Sequence, residues 1–268
     1  MTGWPGAARA GALAILLSGC ALKPVDLAVT DPPRPQDPFI ATIETMKHSV
    51  APVICLDGDG PHASIQDIEG TAFFISRPGD FLTAAHVIDG IKDHSHSCLV
   101  VAIYLPPARW DPELPQEVFE WYPFTVADCE FHRDVDVAKC KPLTDLSRRG
   151  DKLSFDIRPV RFEWSSQPDG TLVAFTGFPL GSRDPFTSRG GVAAYRRRPS
   201  SGTIDLIVDQ AAWSGASGAP VYLSDGRVVG MLVARGVQEG AGTAIVRPAQ
   251  LLQGITETVG VQTSLVRR

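Results

Sequence analysis

Several things are missing from this sequence of 268 residues. It has no apolar run near the roughly 20 residues that cross a bilayer as a helix. Charge of one sign is not in excess: 25 Lys and Arg stand against 30 Asp and Glu, for a net charge of -5. With a pI near 5.7 the chain has no overall attraction to phosphate, which argues against a general nucleic-acid binder. No P-loop or dinucleotide fingerprint occurs, and no repeat of fixed period. The small net charge and a hydrophobic content of 44% exclude global disorder. What is plentiful is turn chemistry. The 25 Gly and 22 Pro suit a chain of many short strands better than a helix bundle.

The amino-terminal segment reads as an address. Arg9 precedes a short apolar run, Ala12 to Leu17, bounded by small residues. That fits the hydrophobic region of a secretory signal peptide over residues 1–19. The ending Leu17-Ser18-Gly19-Cys20 resembles the bacterial lipobox, which implies that Cys20 is lipidated and becomes the first mature residue. Ala21 in place of an Asp points to sorting toward the outer membrane, facing the periplasm. Residues 20–38 carry Pro24, Pro32, Pro33, Pro35 and Pro38, which excludes a helix or a central strand and reads as a tether. The folded domain is expected over 39–268.

Phe39, Ile43, Met46 and Val50 stand at helical spacing and predict one short amphipathic helix. Beyond it the pattern changes to short apolar stretches between breakers. Strands are expected at Pro52–Leu56, Thr71–Ser76, Leu99–Tyr104, Thr125–Phe131, Asp136–Cys140, Leu172–Phe175, Gly191–Tyr195, Thr203–Val208, Ala219–Leu223, Arg227–Val233 and Ala244–Val246. A closing helix is expected from Pro248 to Gly254. Such a series argues for a barrel or sandwich rather than alternating βαβ units.

Three separated segments carry chemistry. In the first, two apolar stretches around Pro78-Gly79-Asp80 lead through Ala84-Ala85 to His86. In the second, Asp134-Val135-Asp136-Val137-Ala138 puts a carboxylate at the start of an apolar strand. In the third, Trp213-Ser214-Gly215-Ala216-Ser217-Gly218 sets a serine among glycines. Gly215 permits a backbone that aims the amides of Gly215 and Ser217 at one point, an oxyanion hole. The order His, Asp, Ser is one of the known orders of a catalytic triad.

TAAHV, DVDVA and GASGAP resemble the His, Asp and Ser motifs of the chymotrypsin-fold serine peptidases, and most of all the HtrA-type catalytic domain. Gly177-Phe178-Pro179 and the hairpin Asp225–Gly230 are similar to further motifs of that group. The resemblance implies an all-β fold of two packed antiparallel β-barrels, with a short N-terminal helix and a C-terminal helix. It implies Ser217 as nucleophile, His86 as general base and then acid, and Asp136 as the residue that orients the imidazole. Asp134 is the rival for that last role, and Lys139 stands where an apolar residue is usual.

Ala216 precedes the serine where zymogen-activated relatives carry an Asp, so activation by that ion pair is not implied. Ala211 stands where cleavage after Lys or Arg uses an Asp. Ala211, Ala212 and Val233 are the candidate lining of a small apolar pocket, with Arg235 close in sequence as a cation that favours acids. The chain ends at Arg268, with no room for the PDZ domain of many HtrA-type proteins, so their trimer cage is not implied.

Four cysteines follow Cys20. Cys129 and Cys140 flank a turn near Asp134-Val135 and are placed to bridge it, leaving Cys55 with Cys98; four buried thiols are the other reading. His94, His96 and Cys98 have no second ligand group, so the segment reads as a polar loop, with no metal and no cofactor expected. Arg196-Arg197-Arg198 reads as a charged hairpin tip. The sequence thus describes a lipid-anchored serine endopeptidase of a bacterial envelope, acting on polypeptide. A catalytically silent scaffold or peptide-binding module that kept the fold is the alternative.

Overall fold

The computed structural model describes residues 37–59, 63–93, 98–105, 120–148, 156–199, 201–235 and 242–257. The signal segment, Cys20, the proline-rich stretch, His94 and His96 lie outside them. Residues Asp37–Arg268 form one compact unit.

The chain opens with α1 (Phe39–Lys47). Seven strands follow: β1 (Val50–Leu56), β2 (Ile65–Phe74), β3 (Phe81–Ala84), β4 (Val100–Leu105), β5 (Glu120–Pro123), β6 (Glu130–His132) and β7 (Val137–Cys140). A second helix, α2 (Ala85–Asp93), continues directly from β3. The remaining strands are β8 (Arg161–Phe162), β9 (Leu172–Gly177), β10 (Phe186–Arg197), β11 (Ile204–Asp209), β12 (Pro220–Tyr222), β13 (Arg227–Arg235) and β14 (Thr243–Pro248). The described chain closes with α3 (Gln253–Glu257).

The first seven strands form one sheet in the order β5-β4-β1-β2-β3-β7-β6. Residues along β1 are all buried, as is the end of β2, because this half wraps around its own apolar core. The sheet curls until its ends meet: Leu143, just past β7, donates its amide to Pro123 of β5 at 2.8 Å. Phe81 packs edge-on against Phe124 across the same join. The second half closes fully. Strands β12-β9-β10-β11-β14-β13 form a ring, because β12 also pairs with β13, and β8 adds to β13 in parallel. The architecture is mostly β with few helices, as the motifs imply, with one closed six-stranded barrel and one curled sheet.

Each terminal helix packs on the half that lies far from it in sequence. Phe39 and Met46 of α1 are buried against Ala174, Tyr222 and Val228 of the second barrel. The start of α1 is clamped there. Asp37 accepts the Phe39 amide at 2.9 Å and pairs with Arg189, whose guanidinium lies 4.5 Å above the Phe39 ring. These two contacts hold the Asp37 carboxyl below the usual carboxylate range, the amide contributing most. Under the helix, Tyr222 hydrogen-bonds Thr176 at 2.7 Å, and burial pushes its phenol up to about 12. At the other end, Leu252 and Ile255 join the core of the first half. Lys139, unusual at its position, reaches the Ile255 carbonyl of α3 at 3.0 Å, where a cation suits the carbonyl end of a helix.

Several sequence expectations are corrected by local bonding. Thr125–Phe131 is not one strand. The amides of Asp128 and Cys129 turn back on Thr125 and Val126, giving a single 3-10 turn before β6. The expected helix from Pro248 begins later, since Pro248 is extended and pairs with Gly230 as the last residue of β14. Helix α2 and strands β5 and β8 were not expected.

Cys55 is bonded to Cys98 and Cys129 to Cys140, both within the first half. The sequence separations are 43 and 11 residues. The chain-entropy relation gives about 4 and about 3 kcal/mol for loops of these lengths. Replacing Cys55 and Cys98 together by Ala is therefore expected to lower the unfolding free energy more than replacing Cys129 and Cys140, as read by denaturant titration under oxidising conditions.

Candidate active site

His86 lies in the first turn of α2, where the backbone N–H groups of a helix lack internal partners. Asp136 supplies a partner from the turn that enters the neighbouring strand β7. Its Oδ1 accepts the His86 amide at 3.0 Å, and its Oδ2 meets His86 Nδ1 at 2.8 Å. Its carbonyl accepts the Ala85 amide at 3.2 Å. One residue therefore caps the helix start and orients the imidazole. To do so it adopts φ +57°, a left-handed conformation that costs a side-chain-bearing residue about 1–2 kcal/mol and that Asp tolerates better than most. Asp134 is exposed, and no contact joins it to His86 among the described residues. The ring remains half exposed, so its Nε2 edge is open to a ligand.

Ser217 sits between β11 and β12 of the second barrel. The loop that carries it is docked onto β2 of the first half through Thr71. The Thr71 amide donates to Ser217 O at 2.8 Å, and its hydroxyl donates to Gly215 O at 2.8 Å. The same hydroxyl accepts the Phe178 amide at 3.0 Å, and Thr83 donates to Thr71 O at 2.7 Å. Neighbouring glycines make this approach possible. Gly218 has φ +90°, and a Cβ there would stand 1.9 Å from Thr71 O. A Cβ on Gly70 would meet Val87, next to His86, at 2.6 Å and Ser217 O at 3.1 Å. The serine segment and the histidine helix thus converge on one point of β2.

Gly215 has φ +87°, and its α-carbon abuts Phe178 O, where a Cβ would stand at 2.5 Å. In this shape the amides of Ala216 and Gly218 are used internally, donating to Trp213 O and Leu232 O. The amides of Gly215 and Ser217 make no hydrogen bond to any described residue. Two unpaired donors two residues apart, one of them the serine's own amide, suit an anionic oxygen. Neither Ser217 Oγ nor His86 Nε2 is hydrogen-bonded to a described residue. Catalytic hydrogen bonds commonly tighten only in the complex.

The three pocket candidates divide. Ala212 packs in the second barrel's core with Ala216 and Ala219, while Val233 belongs to the larger core with Phe178 and Leu252. Ala211 is half-buried, and the side chain of Arg235 lies outside the described residues. The sequence assigns no role to Thr71, which stands there only as the first residue of the strand expected at Thr71–Ser76. Gln210, beside Ala211, is 4% exposed, with neither amide atom hydrogen-bonded. Among the described residues no cluster of His, Cys, Asp and Glu is suited to a metal.

Thr71→Val keeps the shape but strands the buried Phe178 amide and Gly215 carbonyl. At about 1–3 kcal/mol for each unpaired group, a loss of roughly 2–6 kcal/mol is expected in urea unfolding. Thr71→Ser, which keeps the hydroxyl, is expected to lose far less.

The geometry has parallels. The chain is similar to the Mycobacterium tuberculosis protease Rv3671c in its active form, at 17% identity and TM-score 0.57, over 82% of this chain and 84% of that one. It is similar to Deg5 at 18% identity and TM-score 0.58, over 81% of this chain and 91% of that one. At such identity the likeness shows the fold. No curated protein matches the chain significantly. The model of the trypsin-like peptidase domain matches residues 70–231, a span that contains His86, Asp136 and Ser217. Because that match takes in more than half of the sequence, the chain belongs to the trypsin-like peptidase domain family.

Proposed function

We propose that the protein is a serine endopeptidase working through His86, Asp136 and Ser217. The observation that carries this reading is the double contact of Asp136 with the amide and ring of His86, on a half whose strand β2 also receives the Ser217 loop. Asp136 holds the proton on Nδ1, which leaves Nε2 as the base. Ser217 Oγ attacks the carbonyl carbon of the scissile peptide while His86 Nε2 takes its proton. The electron pair displaced from the carbonyl settles on oxygen, which the Gly215 and Ser217 amides receive. His86⁺ then gives the proton to the leaving amine, and the C–N bond breaks to leave an acyl-enzyme. Water, deprotonated by the same nitrogen, releases the acid and restores Ser217.

Ala211, in place of an acid, removes the usual charge partner for a basic side chain. The proposed preference is for a small or apolar residue before the scissile bond. The lipobox-like Leu17–Cys20 supports export and acylation at Cys20, with the domain held at the bacterial envelope and facing the periplasm.

A fluorophosphonate probe on the full chain is expected to label Ser217, identified by mass spectrometry. Ser217→Ala is expected to abolish labelling, and His86→Ala to reduce it by roughly 10³-fold or more. A well-folded chain that takes no label would favour the silent scaffold. For the anchor, mass spectrometry of protein from the native envelope is expected to find an acylated Cys20 as the first residue. An unmodified amino terminus elsewhere would refute it.

A further inference from the structure

Arg247, on β14, is 3% exposed, and its nearest carboxylate, Asp205 on β11, is 2% exposed. Arg247 Nη1 donates to Asp205 Oδ1 at 2.5 Å, and Arg198 Nε donates to the other oxygen at 3.2 Å. The remaining contact leaves the barrel. Arg247 Nε donates at 2.7 Å to the carbonyl of Val135, which lies in the first half, immediately before Asp136.

The turn receiving this bond is weakly held from within. The Val135 amide reaches His132 O at 3.3 Å, and the Asp136 amide reaches Arg133 O at 3.3 Å, both long. The turn must nevertheless fix Asp136 in its left-handed conformation with its carboxylate on His86. A second brace, Arg133 on Asp89, is largely exposed on its arginine side, where solvent screens it.

Stability alone does not call for Arg247 and Asp205. A buried ion pair recovers little more than its own desolvation, and apolar residues of the same volume commonly serve as well. Apolar residues could not donate to Val135. The guanidinium does so in a fixed direction, because it is planar and Asp205 grips one end. Lys would present a single mobile ammonium instead.

We infer that Arg247, held by Asp205, is a positioning residue: from the barrel that carries Ser217 it sets the turn that aims Asp136 at His86. The inference rests on reading His86 and Asp136 as a working pair and is independent of substrate identity.

The test uses the full chain in detergent, with ¹⁵N-labelled histidine. The His86 Nδ1 proton gives a low-field NMR signal when shielded from exchange by Asp136. In Arg247→Met that signal is expected to vanish, and fluorophosphonate labelling of Ser217 to slow by roughly 10- to 100-fold, the scale of a small misplacement. Arg247→Lys is expected to fall between. Arg227→Met, which removes contacts to Glu163 and Asp225 elsewhere in the same barrel, should keep both readouts even where it lowers stability.

If Arg247→Met does not fold, Asp205→Asn decides, with a broadened signal and slower labelling expected. A signal unchanged in the folded variant, with labelling within about twofold, overturns the inference. So does a wild-type chain that lacks the signal. A wild-type chain that shows the signal but takes no phosphonate overturns the peptidase reading, and the NMR comparison alone then judges Arg247.

Discussion

Thr71 is the constraint on which the rest of the site depends. It lies fully buried where the curled sheet meets the closed barrel, and its amide, hydroxyl and carbonyl are all engaged. Its hydroxyl joins the Ser217 loop to the segment that follows β9, accepting from Phe178 and donating to Gly215. The larger core runs from the first sheet to Phe178, Met231 and Val233 of the second, but apolar contact is non-directional and leaves small sliding motions open. Hydrogen bonds with fixed angles remove that freedom. The same strand that receives Ser217 runs against Val87, so the position of the serine segment is defined relative to the histidine helix.

The catalytic candidates were legible in the sequence because each carries a local signature. Glycines surround Ser217, small residues precede His86, and an apolar strand follows Asp136. The family motif already favours Asp136 over Asp134, because Val137-Ala138 follows it, and the turn shows that Asp136 is the carboxylate that meets His86. Helix α2 escaped notice because Val87, Ile88 and Ile91 are too few to announce a period beside Gly90. Strand β8 is two residues long and exists only through its partner β13. Arg247 and Thr71 look ordinary in sequence. Their roles come from register between segments 112 and 144 residues away, which no window along the chain contains.

The two halves divide the work unequally. The first half holds the His86–Asp136 contact and both disulfides, so its covalent restraints lie in the same half as that contact. The second holds the serine loop in a hydrogen-bonded ring with no open edge between its six strands. Exchanged terminal helices fasten one half to the other. Lys139 shows how a polar residue at an apolar position is accommodated, by reaching the end of α3.

The clamp at the start of α1 has a mechanical consequence. The chain enters the compact unit at Asp37, where the carboxylate grips Arg189 and Phe39 is buried beneath that guanidinium. Tension arriving through the backbone from Gln36 is therefore borne first by α1 and β10, in the barrel that lies farther along the chain. The strands that follow α1 directly are shielded from that load. A displacement of Asp37 thus acts on the closed barrel before it acts on β3 and the helix that carries the imidazole.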